Sequence, residues 1–84
     1  MEETYIEIDL TNEQKAAIIK YADFFVRDKI TQADLINKRK KWIRFRPGTA
    51  REVAGELAYH FNRTKSNRLF HLLDELIDHL ERYE

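Results

Sequence analysis

Near the start of the chain, Ile6, Ile8 and Leu10 alternate with Tyr5, Glu7 and Asp9, the two-residue period of a β-strand with one dry and one wet face. A lone strand leaves a row of backbone N–H and C=O groups without partners, so a second strand is required. The remaining sequence offers one strand-like stretch, Trp42 to Arg46, in which Ile43 and Phe45 alternate with Trp42, Arg44 and Arg46 before Pro47-Gly48 ends it. Pairing the two segments sets Glu7 and Asp9 across from Arg44 and Arg46 on the wet face, and Ile6 and Ile8 against Ile43 and Phe45 on the core face. The competing arrangement is one long second helix over 32–46, with the N-terminal strand pairing to its copy in a second chain. Charge matching across the ribbon favours the pairing within one chain.

Between and after the strands the apolar spacing is helical. Thr11 with Gln14 and Thr49 with Glu52 read as capping boxes, Thr31 with Asp34 as a weaker version, and Thr64 as a further helix start. Val53, Ala54, Leu57, Ala58 and Phe61 form one face after Thr49, and Leu69, Leu72, Leu73, Leu76, Ile77 and Leu80 form another after Thr64. The first helix carries Ile18, Tyr21, Ala22 and Phe25. In the second, Arg39 interrupts the stripe begun by Leu35 and Ile36. The fold expected is mainly α, a compact bundle of about four helices near 12–27, 32–40, 49–62 and 65–82 with a small two-stranded β-ribbon, in the order β-α-α-β-α-α. Its expected core is Ile6, Ile8, Ile18, Phe25, Leu35, Val53, Leu57, Phe61, Leu69, Leu73, Leu76 and Leu80.

Size and composition narrow the function classes. Eighty-four residues make one small domain, 1–84, which buries only roughly 60–65% of the surface its unfolded chain exposes. There is no Cys, hence no disulfide frame and no thiolate chemistry, and no apolar run reaches the roughly 18 residues of a membrane span. The acidic opening MEETYIEIDL has the wrong charge for a secretory or transit signal, so a cytoplasmic protein without membrane contact is expected. Two glycines, Gly48 and Gly55, cannot build a phosphate cradle, and Ser66 lacks an oxyanion turn and reads as a helix-start residue. His60 reads as a boundary residue beside the core. His71, Glu75 and His79 share a helix face, but ligands eight residues apart lie about 12 Å apart along the axis, too far for one ion. No catalytic residue, metal or cofactor is therefore expected.

The zero net charge hides a strong polarity. Residues 1–14 sum to −5, residues 29–51 to +7 and residues 74–84 to −4. The stretch Lys38 to Arg46, KRKKWIRFR, holds six cations, Lys38, Arg39, Lys40, Lys41, Arg44 and Arg46, around Trp42 and Phe45. Cations that displace counterions at phosphates, interleaved with an aromatic face that stacks on a base, are the chemistry of nucleic-acid contact. They equally suit an acidic protein surface, and a helix C-terminus attracts cations in any case. Asp74, Asp78, Glu81 and Glu84 crowd the end of the last helix, where acids oppose the macrodipole, so they are expected to face something basic: residues 38–46 or a partner. Gly55 weakens the third helix by roughly 1 kcal/mol relative to Ala and sits one turn before Tyr59, a place for a close helix contact or a docked partner.

The strand YIEIDLT running into the helix NEQKAAIIKYADFF resembles the ribbon-helix-helix DNA-binding family over about a third of the chain. In that family outward strand residues read base edges; here those positions hold Tyr5, Glu7 and Asp9, and acidic side chains repel phosphates, so that mode of reading does not carry over. The function expected is a small non-enzymatic binding or regulatory module contacting nucleic acid through 38–46. The alternative is a protein-binding adaptor or inhibitor of the kind phages and mobile elements encode. A homodimer is expected to complete so small a core.

Overall fold

The computed structural model describes residues 4–82. Strand β1 (Ile6–Asp9) leads into helix α1 (Asn12–Tyr21), a single 3-10 turn (Asp23–Phe25) and helix α2 (Lys29–Ile36); strand β2 (Trp42–Phe45) then precedes helices α3 (Thr49–Phe61) and α4 (Asn67–Glu81). The expected architecture and element order hold, and the long second helix does not form. β1 and β2 pair antiparallel within the chain, with Ile6 opposite Phe45, Glu7 opposite Arg44, Ile8 opposite Ile43 and Asp9 opposite Trp42. Asp9 therefore faces Trp42 rather than Arg46, because Arg46 lies one residue beyond the ladder and turns instead to Asp28.

The helix boundaries depart from expectation in the first half. The apolar stripe continues through Phe24 and Phe25, yet α1 stops at Tyr21, because Asp28 caps α2 by accepting the amides of Ile30 at 2.8 Å and Thr31 at 3.4 Å. That early cap moves α2 to Lys29–Ile36, ahead of the expected 32–40. It also releases Thr31, which is buried and no helix cap. The capping box at Thr11 and Gln14 is present in both directions, at 3.1 and 3.0 Å. The one expected at Thr49 is not: Gly48, at φ +94°, takes the N-cap position, and Thr49 is already the first helical residue. Ser66 caps α4 through Leu69, and the Thr64 hydroxyl accepts the Ser66 amide.

One apolar cluster joins the dry face of the ribbon (Ile8, Leu10, Ile43, Phe45) to α1 (Ala17, Ile18), α3 (Ala50, Val53, Ala54, Leu57) and α4 (Leu73, Leu76, Leu80). Eight of the twelve expected core residues are buried; Ile6, Phe25, Phe61 and Leu69 sit half-buried at its rim. Ile43, Phe45 and Val26 take the central places those four were expected to fill, because β2 lies inside the bundle with α2 across its outer edge. There the Thr31 hydroxyl donates to the Arg44 carbonyl at 2.6 Å, and Asp34 accepts the Arg44 amide at 3.0 Å. Two side chains thus satisfy the edge groups that a third strand would otherwise satisfy. No helix among the described residues is long and apolar enough to cross a membrane.

Candidate binding surface

The turn from α2 to β2 carries most of the basic segment, and the fold divides its six cations into two sets. Lys40, Arg44 and Arg46 are tied to carboxylates. Asp34, with its side chain 4% exposed, receives Arg44 Nε at 2.9 Å and Nη2 at 3.0 Å in a two-pronged fork, and Lys40 Nζ at 3.2 Å. Asp28 accepts from Arg46 Nε and from the Tyr5 hydroxyl at 2.9 Å, and Arg46 also lies over the Tyr5 ring. Both carboxyls are consequently held well below their ordinary 3.8, at about 2: Asp34 chiefly by the Arg44 guanidinium and Asp28 chiefly by Arg46, each against the opposing effect of burial.

Lys38, Arg39 and Lys41 form the second set. None has a carboxylate partner among the described residues, and all three are exposed on the turn. The turn is closed by Lys40 N–H to the Asn37 carbonyl at 3.1 Å and by Arg39 N–H to Asn37 Oδ1 at 3.1 Å. Its two arms begin with exposed apolar residues, Ile36 at the end of α2, 71% exposed, and Trp42 at the start of β2, 47% exposed. The strand alternation explains Trp42, which shares the outward face with Arg44; nothing in the helix period flagged Ile36. The surface is thus three unpaired cations flanked by two apolar side chains, which can hold an anionic backbone or an acidic surface.

Of the two counterparts expected for the acids of α4, residues 38–46 or a partner, the first is not ion-paired with them among the described residues; Asp28 and Asp34 hold those cations instead, because α2 packs on β2 while α4 packs on α3. Asp78 pairs with Arg82 at 2.8 Å, Asp74 and Glu81 are exposed, and Glu84 lies outside the described residues. Lys41 lines a cleft of about 400 Å³ with Glu75, Asp78 and His79. His79 is engaged: its Nε2 lies 2.8 Å from the Asp9 carbonyl and 3.0 Å from Asp9 Oδ1. No group of three potential ligands arranged to hold a metal ion occurs among the described residues.

Sequence reading missed Asp28 and Asp34 as the partners of the cations. A single signal pointed to them: two acids, ten and four residues ahead of a six-cation run, at the cap and within the body of a helix too short to separate them from it. Comparison with protein-family models, with curated proteins and with solved structures found no match.

Proposed function

We propose that this protein is a non-enzymatic binding module of the cytoplasm whose working surface is the turn 37–41, with Lys38, Arg39 and Lys41 against a nucleic-acid backbone and Trp42 offering a face to a base. The observation that supports this reading is the division of the cations: three are held by carboxylates, while the three on the turn have no carboxylate partner among the described residues. Three phosphate contacts limit the logarithmic salt dependence to a slope of roughly −2.7 on duplex DNA and roughly −2 on a single strand. Mobility shifts and a salt titration with duplex and single-stranded DNA and RNA test it. Changing Lys38, Arg39 and Lys41 together to Glu should abolish the shift without loss of fold. Reversal of Lys40 and Arg44 is uninformative, since it breaks the Asp34 cluster.

A protein partner is the second reading, favoured by Ile36 and Trp42, which together expose apolar surface of the kind that anchors interfaces. Absence of any shift at low salt, with capture of an acidic protein lost in Ile36→Ala and Trp42→Ala, would replace the first reading by an adaptor or inhibitor. A homodimer is part of the proposal only as a second copy of the same surface; light scattering over a dilution series tests it, and a constant mass near 10.2 kDa would remove it.

A further inference from the structure

Among the described residues Lys15 is the one buried lysine, at 2% exposure. It leaves the first turn of α1 and runs beneath the turn 37–41, where its Nζ donates to the Asn37 carbonyl and to the Lys40 carbonyl, both at 2.7 Å. Among the described residues no carboxylate is bonded to it; the two carbonyls, one of them at the C-cap of α2, where the helix dipole places partial negative charge, supply its counter-charge. Burying an ammonium without an ion-pair partner is costly, and an aliphatic side chain would fill the same space more cheaply. The cost is explained by what the ammonium grips. Asn37 and Lys40 bracket Lys38 and Arg39, and the next carbonyl, Lys41, accepts the Leu10 amide at 2.9 Å. With three carbonyls drawn inward, the backbone of the turn is fixed although its exposed side chains repel one another.

We infer that Lys15 is a positioning residue for the proposed binding surface, a buried ammonium that holds the turn 37–41 in the shape that presents Lys38, Arg39 and Lys41 together. The inference rests on the reading of that turn as the binding surface. A preformed turn does not have to be ordered when the ligand arrives, so loss of Lys15 should weaken binding without removing a phosphate contact.

The test uses the full chain with Lys15→Met and Lys15→Arg, the first lacking the charge and the second keeping it on a head too broad for the same two carbonyls. For a 20-nucleotide single strand, both variants should bind roughly tenfold more weakly with an unchanged salt slope, because the number of phosphate contacts is the same. Amide exchange at Arg39 and Lys40 should quicken by roughly tenfold or more as the turn opens locally, while amides of α3 and α4 keep wild-type protection. A smaller salt slope in Lys15→Met would make Lys15 a phosphate-facing charge and overturn the inference. So would wild-type exchange at Arg39 and Lys40, or unchanged affinity with a loosened turn. If the unmutated protein binds no nucleic acid while the variants still loosen the turn, the proposed ligand fails and the hold of Lys15 on the turn is supported. Should Lys15→Met not fold, the wild-type ammonium decides: slowly exchanging Nζ protons coupled to the carbonyl carbons of Asn37 and Lys40 support the inference, and fast-exchanging protons without such couplings overturn it.

Discussion

Asp34→Asn is the sharpest perturbation of the arrangement that divides the basic segment. The carboxylate receives the Arg44 amide, both prongs of the Arg44 guanidinium and the Lys40 ammonium, and its folded pKa falls from 3.8 to about 2. At about 1.4 kcal/mol per pH unit, that fall corresponds to roughly 2.5 kcal/mol of preference for the charged form in the folded state. Arg44 and Lys40 are each about a third exposed, so solvent screens the pair and about 2 kcal/mol is the expected loss at pH 7. Asn keeps an oxygen for the Arg44 amide, which confines the loss mainly to charge. For a domain of this size the midpoint should drop by roughly 8–16 °C. The folded pKa is depressed, so the stabilisation is present in full well above 3.8, begins to decline below about pH 5 and is lost as pH falls through about 2. Urea unfolding of wild type and variant at steps from pH 7 to pH 2 should therefore give a gap that is flat to about pH 5 and then closes. Asp28 titrates over the same range but is present in both proteins, so it cancels in the difference. A gap below about 0.5 kcal/mol at pH 7, or one that persists unchanged to pH 2, would refute the reasoning.

Thr31→Val keeps the shape of a fully buried side chain but leaves the Arg44 carbonyl without its 2.6 Å donor; urea unfolding should show a loss of about 1–3 kcal/mol. Gly55→Ala should raise stability by roughly 0.5–1 kcal/mol, since an added Cβ meets nothing within 4 Å and the residue is helical. Gly48→Ala should lower it, because φ +94° strains any residue with a side chain, although the space there is equally open. Leu73→Ala, at a fully buried site in α4, should cost about 2.7–5 kcal/mol by thermal or urea unfolding.

The ribbon was legible because strand periodicity is local and backbone groups must be paired: of the two arrangements that satisfy them, the one within the chain also matched Glu7 with Arg44. The last two helices were legible for a similar reason, their buried faces being regular. The break after Tyr21 was hidden because Phe24, Phe25 and Val26 continue the apolar stripe, and the signal that overrides it, Asp28 as a helix cap, competes with Thr31 three residues later. Thr31 and Asp34 themselves looked like a cap and its companion. Their actual work lies across space, on the edge of β2, and nothing in their own spacing records it. The same holds for Lys15, whose place among apolar neighbours in α1 reads as a solvent position. Of the candidate surface, sequence located the segment and the exposure of Trp42, but which cations were already paired depended on how α2 lies on β2.

The ribbon joins Ile8 to Ile43, 35 positions later, whereas α3 and α4 are joined by a short loop and pack directly on one another. Closing the longer loop is entropically the slower event, so the α3–α4 hairpin is free to form independently of the ribbon once both helices exist. During synthesis at roughly 5–20 residues per second, β1 waits about 2–7 s before its partner strand has been made. Over that interval the β-prone apolar segment of Ile6 and Ile8 has no mate within the chain. Glu7 and Asp9, interleaved with them, then serve as gatekeepers: their like charges discourage two nascent strands from pairing with each other until β2 arrives bearing Arg44 to sit opposite Glu7.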